Sequence, residues 1–283
     1  MNPNTPSSPP AAADTLPATL RRARTGRRIS QLELALRMGV SQRHVSFVES
    51  GRARPSRELL LAWLRELEAP MVLSNAALLQ AGYAPAYSAA PLGDSLLAPA
   101  VRALEQLLQA HDPKPAFVLD AHWNLVNANQ GARWLMGLLL PDLAQLPPGT
   151  PLNMLDALAA PDGLTRHITN LDEVGPALMA HLRDDASVLP TLLPRVNALG
   201  ALLQNRLGKR YAASAHSRVA HPVLTTRFAT PIGPLAFFSM FTTFGTPQDI
   251  TLASLRVEHL FAADAATTAV LREKVAGVPV SRT

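Results

Sequence analysis

The sequence predicts two domains, an all-α helical bundle followed by an α+β domain built on an antiparallel sheet, and three observations lead to that expectation. Around residues 31–50 apolar residues recur at helical spacing on both sides of a glycine, as two short helices crossing at a tight turn require. A connector rich in Pro, Ala and Ser then occupies residues 84–99. Beyond it the apolar period runs from two to helical and back to two, giving two strands, a block of helices, three strands and a final helix. A chain of 283 residues has the length of two ordinary domains, and 48% hydrophobic residues against 17% charged suffice for packed cores.

Residues 1–16 are rich in Pro, Ser and Ala, have no apolar signal core, and read as a disordered tail ahead of a first domain at 17–83. Ser30 can cap a helix that starts near Gln31, with Glu33 three residues on to complete a reciprocal capping box. Ala35 is small where a second helix must approach, and Gly39 falls where the chain must reverse through a left-handed conformation. Ser41 can cap the second helix. Leu34, Val40, Val45 and Val48 would close a core beneath the crossing, leaving Gln42, Arg43, Ser46 and Phe47 outward. One more short helix, at 75–81, finishes the domain.

Over residues 20–67 this pattern resembles the Cro/C1-type (Xre-like) helix-turn-helix family, which has a lambda-repressor-like bundle. The resemblance implies that the second helix enters the major groove of double-stranded DNA, with Gln42, Arg43, Ser46 and Phe47 at the bases. Gln suits adenine and Arg suits guanine in bidentate fashion. Gln31, Ser41 and His44 would meet phosphates, as would Arg52 and Arg54 in the basic stretch Ser50-Gly51-Arg52-Ala53-Arg54-Pro55-Ser56. The alternative is a bundle of this type used for protein contacts.

Charge favours DNA. Residues 1–70 hold 11 Arg against 6 acids, whereas residues 71–283 hold 15 basic and 15 acidic residues, so the whole net charge of +5 lies in the first part. Such a patch is the electrostatic footprint of phosphate binding. The absence of cysteine excludes disulfides, thiolate catalysis and Cys-ligated zinc. Residues 228–248, the longest uncharged stretch worth testing as a membrane span, are interrupted by Pro231, Gly233, Pro234, Gly245 and Pro247, so a soluble cytoplasmic protein without a membrane partner is expected.

In the second domain, placed at 100–276 before a tail at 277–283, residues 101–109 set Val101, Leu104, Leu107 and Leu108 on one helical face. That face suits a domain link, a subunit contact or plain core packing. Strand-like runs follow at 116–119 and 123–127 around the turn Asp120-Ala121-His122. Helices are expected at 129–140, 154–158, 172–186 and 192–207, with Pro190 and Pro194 at the start of the last. Val219, His221, Val223, Thr225 and Arg227 restore period two, the turn Pro231-Ile232-Gly233-Pro234 leads into the apolar run 235–244, and Leu255, Val257, His259 and Phe261 alternate again. Asp264 can cap a closing helix to about Val275, with Gly277 beyond it.

This order predicts a sheet with helices over one face. Here the chain is similar to the MmyB-like ligand-binding domain that follows an Xre-type helix-turn-helix, a PAS-like antiparallel sheet covered by helices. The resemblance covers about residues 98–268. It rests on Pro115-Ala116-Phe117-Val118-Leu119-Asp120, Trp123-Asn124 and Asn127-Ala128-Asn129, and on residues 244–252, Leu255-Arg256-Val257-Glu258 and Ala262-Ala263-Asp264. It implies a transcriptional regulator that binds an apolar small molecule such as a long-chain acyl compound. Trp123, Trp134, Leu135, Met136, Met154, Met179, Phe237, Phe238, Phe241 and Phe244 would line the pocket, or simply form core. Arg133, Arg195 and Arg227 are the candidate anchors for an acidic head group.

No catalytic motif is present, the eight histidines never adopt close metal-ligand spacing, and His216 and His221 are expected to be structural. No enzyme activity, cofactor or metal is expected. A homodimer would set two recognition helices about one helical turn, ~34 Å, apart on DNA. A second domain that serves dimerisation alone is the alternative to a sensor.

Overall fold

The computed structural model describes residues 15–142, 150–208, 211 and 223–275. Of the tail expected at 1–16, residues 1–14 lie outside the described residues, as do the tail at 277–283, Gly277, His216 and the alternation at Val219 and His221; Thr15 and Leu16 instead cap and begin the first helix. The chain divides into two compact units, one running to Ala89 and taking in Gln248–Ile250, the other comprising the rest.

The first unit is a bundle of α1 (Leu16–Gly26), α2 (Gln31–Met38), α3 (Gln42–Glu49), α4 (Arg57–Glu66) and α5 (Met71–Gln80). Ser30, Ser41 and Ser56 cap three of these helices, their hydroxyl oxygens accepting from the amides of Glu33 (3.1 Å), His44 (3.2 Å) and Leu59 (3.2 Å). The capping box is half-formed, because the Glu33 carboxylate takes a charge-assisted bond from Arg37 one turn on. Gly39 has φ +67°, the left-handed value that lets α2 stop and α3 start within three residues. Leu34, Val45 and Val48 are buried with Leu20, Leu60 and Trp63, while Val40 is only partly covered. α5 starts at Met71, ahead of the expected residue 75.

The second unit contains α6 (Ala98–His111), β1 (Ala116–Leu119), β2 (Leu125–Ala128), α7 (Gln130–Leu139), α8 (Met154–Ala159), α9 (Leu171–Val188) and α10 (Leu193–Leu207). The hairpin β3 (Thr225–Thr230) and β4 (Gly233–Thr243), the single turn α11 (Ile250–Ser254), β5 (Arg256–Ala262) and α12 (Ala265–Lys274) follow. The five strands form one sheet in the order β2-β1-β5-β4-β3, every neighbour antiparallel. Helices cover one face and, over β1 and β5, part of the other, which corrects the expectation of helices over one face only. Leu104 and Leu108 of α6 pack on Ala116, Val118, Leu255 and Val257, so α6 is a core helix of this unit. The larger core gathers the opposite sheet face with α7, α8, α9, α10 and α12.

Asn129 ties these layers together. Its Oδ1 accepts from the amides of Ala116 and Ala132, both at 2.9 Å, and its Nδ2 donates to the carbonyls of Leu108 (3.3 Å) and Lys114 (2.7 Å). One buried side chain thereby caps α7 and fixes the start of β1 and the end of α6.

Candidate functional site

Two surfaces carry the candidate chemistry. On α3, Gln42 and Arg43 are exposed in the first turn, and Ser46 is half-buried. The Phe47 ring is half-buried with the Arg43 guanidinium 5.1 Å from its centroid and that of Arg52 5.9 Å away. Phe47 is therefore placed as a platform that orders two cations from α3 and the loop beyond it. The hydroxyl of Ser41 is engaged at the cap of α3, where it accepts from the amide of the half-buried His44.

Two of the residues expected at phosphates also have internal partners. Arg54 donates to the carbonyl of Ala81 and lies 5.4 Å from the Tyr83 ring, so it fastens the loop to the end of α5. Gln31 donates to Glu49 Oε2 at 2.8 Å. That carboxylate also receives Arg24 Nε and the second terminal nitrogen of Arg24 at 2.7 and 2.8 Å. α1 thus grips the last residue of α3 through a buried fork that the charge count did not reveal. Burial pushes the Glu49 carboxyl up, but the bonds from Arg24 and Gln31 and the fields of Arg24 and Arg21 outweigh it and hold the carboxyl below its ordinary range.

The second surface is a cavity of about 560 Å³ between the sheet and α7, α8 and α9. Strand register decides what faces it. Phe237 pairs with Ala262, Ser239 with Leu260 and Phe241 with Glu258, while Phe117 on β1 pairs with Glu258 from the other side. Phe117, Phe237, Ser239, Phe241 and Glu258 therefore share the cavity face. Phe238 also borders the cavity, but its ring turns the other way and stacks on Phe261 at 5.3 Å, and Phe244 packs with the α6 core. Of the four phenylalanines expected on one pocket, Phe237, Phe238 and Phe241 border the cavity and Phe244 does not.

Trp123, Leu135, Met136 and Met154 line the cavity as expected. Trp123 has φ +64°, a conformation that costs a tryptophan energy. It is imposed by Asp120 Oδ1, which accepts from the amides of His122 (2.8 Å) and Asn124 (2.9 Å), and it turns the indole inward. Trp134 and Met179 belong to the packing around the core and are not part of the cavity wall.

None of the three expected arginine anchors reaches the cavity. Arg133 is exposed on the outer side of α7, Arg195 pairs with Asp156 at 2.9 Å, and Arg227 points to Glu173 at 3.5 Å. Among the described residues the cation nearest the cavity wall is Arg256, whose guanidinium lies 4.0 Å from the Trp123 ring and 5.6 Å from the Phe241 ring; one terminal nitrogen bonds Asp185 at 2.8 Å, while Nε and the other terminal nitrogen are buried without a hydrogen-bond partner. Asp185 also accepts from Trp123 Nε1 at 2.9 Å. The polar groups that do line the cavity include Glu258, Ser239 and His181, which stacks on Phe241 at 5.5 Å. Burial pushes the Glu258 carboxyl up to about 7, against the opposing pull of Arg256 and the Ser239 hydroxyl. The alternation of Leu255, Val257 and His259 held the missing signal: in a strand covered on both faces, the intervening Arg256 and Glu258 also face a layer.

Among the described residues no group of His, Asp or Glu is arranged to hold a metal ion, and no helix is long and apolar enough to cross a membrane.

Comparison with known families places these two surfaces in context. Residues 20–72 match a helix-turn-helix family, and residues 100–273 match the MmyB-like transcription regulator ligand binding domain. No curated protein matches the chain significantly. The second match spans more than half of the 283 residues and the first covers the basic bundle that precedes it. The chain belongs to the MmyB-like transcription regulators: it is a DNA-binding regulator with a ligand-binding domain.

Proposed function

We propose that this regulator binds operator DNA as a homodimer and that a small apolar molecule, held in the cavity of its second domain, gates that binding. The cavity carries the reading. About 560 Å³ lies within the ordinary range of small-molecule sites, ~300–1,000 Å³. Its walls are aromatic, aliphatic and methionine side chains, an adaptable apolar lining suited to a chain such as an acyl group. The 2-1-5-4-3 antiparallel order with helices facing the cavity supports a PAS-like sensor. A module that served dimerisation alone would have no need of an unfilled interior.

At the output end, Gln42 and Arg43 read bases and Arg52 meets phosphate. Ligand shifts the relative placement of two recognition helices by only as much free energy as it distinguishes the two arrangements. Native mass spectrometry of the purified full chain, paired with operator binding measured before and after delipidation, tests this. A retained apolar molecule whose removal changes operator affinity is the expected result. An empty protein with unchanged operator affinity across an apolar compound library would overturn it.

A further inference from the structure

The helix α6 and the short turn Ser95–Leu97 that leads into it carry two apolar stripes, and the core of the second unit takes up one of them. Leu97, Leu104 and Leu108 are buried, and the His111 ring lies against His259 and Phe261 of β5. Beside that stripe runs another. Leu96, Ala100, Ala103, Leu107 and Ala110 follow one another at steps of four and three, the spacing of the apolar seam between paired helices. This second stripe faces outward: Leu96 is 82% exposed and Leu107 40%, with Ala103 and Ala110 exposed between and beyond. The two charges of α6, Arg102 and Glu105, stand on the far side of the helix from it.

The stripe continues onto the sheet. α6 covers β1 and β5, and next to it Ala103 and Leu107 share an apolar hollow of about 100 Å³ with Thr242, Thr243 and Phe244 at the end of β4. Met240 and Thr242 pair with His259 and Val257 of β5, so they face the same side of the sheet as α6, and Met240 is 52% exposed. The helix and the uncovered strand thus form the two sides of an apolar trough ~21 Å long.

We infer that this trough is the surface through which two copies of the chain pair, the second stripe of one α6 lying against that of the other, with β4 alongside. The inference rests on the homodimer reading. Charge favours a second copy as the occupant. Two-fold pairing sets a surface against itself, so a charge at its centre would meet its own copy, and the residues of this stripe carry none. A partner of different sequence draws specificity and encounter rate from complementary charge, and no charged residue lines the hollow. Alanines between leucines let two helices approach closely while the leucines fill the space above and below.

Sedimentation velocity of the full chain and of the double variant Leu96→Glu, Leu107→Glu reads the pairing. Both positions are exposed, so the variant is expected to keep the wild-type circular dichroism and melt while its dimer dissociation constant rises at least roughly a hundredfold. A matched pair on the exposed apolar side of α5, Val72→Glu, Leu79→Glu, is expected to leave the constant within roughly threefold. The chain has no cysteine, so one introduced thiol reports proximity without adding charge. Ala103→Cys, in the middle of the stripe, is expected to form a disulfide-linked dimer on oxidation, and Glu105→Cys, on the far side, is not. A double α6 variant as dimeric as the wild type, dissociation by the α5 pair instead, or linkage through position 105 and not 103 overturns the inference and leaves the homodimer reading intact. A wild-type chain that stays monomeric at about 100 μM overturns both.

Discussion

Replacing Arg24 by Met tests whether the recognition helix is held by a buried charge pair. Arg24 gives Glu49 two parallel bonds of 2.7 and 2.8 Å and sends a further N–H to the Ile29 carbonyl at 2.7 Å. The side chains of the pair are only 10% and 3% exposed. Arg24→Met keeps much of the apolar stem but leaves a carboxylate in place without its cation. Removing one partner of a buried pair costs ~3–5 kcal/mol, whereas an exposed pair is worth ~1 kcal/mol or less. At ~4–8 °C per kcal/mol for a domain of this size, melting of the first unit should fall by ~12 °C or more.

Hydrogen exchange on the full chain, read by mass spectrometry over peptides from α1 to α4, measures the loss in that unit alone. The pH dependence supplies a second reading. Because the Glu49 carboxyl is held below its ordinary range, the stability it contributes is present above that range and is lost as pH falls through the depressed value. Arg24→Met should weaken that acid limb. The double variant Arg24→Met, Glu49→Leu should regain most of the loss, since no buried charge is left unpaired. A loss below ~1 kcal/mol in the single variant would put the pair with exposed bridges and refute the reasoning. So would a double variant no more stable than the single.

Four other outcomes are expected. Arg43→Ala should cost ~1–3 kcal/mol on the preferred operator and relax preference at one base, while Arg52→Ala should weaken all sequences alike and reduce the salt slope by ~1, both read by fluorescence anisotropy against salt. Asn129→Ala removes four hydrogen bonds at the junction of α6, β1 and α7 and should destabilise the second unit by at least ~2 kcal/mol in urea titration. Glu258 is raised in the fold, so between its ordinary value near 4.5 and about 7 the second unit should lose stability as pH rises, by up to ~3 kcal/mol less whatever water in the cavity screens; Glu258→Gln should abolish that slope in melts at the two ends of the range. Met136→Trp, on the α7 side of the cavity, should fill part of it and abolish retention of apolar ligand in native mass spectra while the second unit stays folded.

The bundle was legible because its determinants are local. A serine three residues from the amide it caps, or a glycine at φ +67° between two helices, is visible in a window of ten residues. The internal bonds of Arg54 and Gln31 depend on distant partners. Arg54 meets Ala81 and Gln31 meets Glu49, separations of 27 and 18 residues that no periodicity encodes. A basic residue in a basic stretch counts the same in a charge sum whether it faces phosphate or a carbonyl of its own domain.

The cavity was legible in its hydrophobicity and illegible in its chemistry, and strand parity explains both. In 235–244 successive residues face opposite sides of the sheet, so an apolar run does not say which phenylalanines meet; Phe237 and Phe238 are neighbours in sequence and lie on opposite faces. The same parity places Glu258 in the cavity, because Val257 and His259 on either side of it are buried against the α6 layer. Arginines were the natural guess for an apolar pocket expected to hold an acid, but an arginine on an exposed helix face or an edge strand needs no special environment, as Arg133 and Arg227 illustrate. A glutamate on the central strand does need one. Keeping a carboxyl among Phe117 and Phe241, where burial raises its pKa to about 7, is a cost that packing alone would remove by substitution with leucine. Arg256, two residues along the same strand with two buried nitrogens that lack a hydrogen-bond partner, shares that cost, so the polar chemistry of the cavity is best argued from this pair and not from the three exposed arginines.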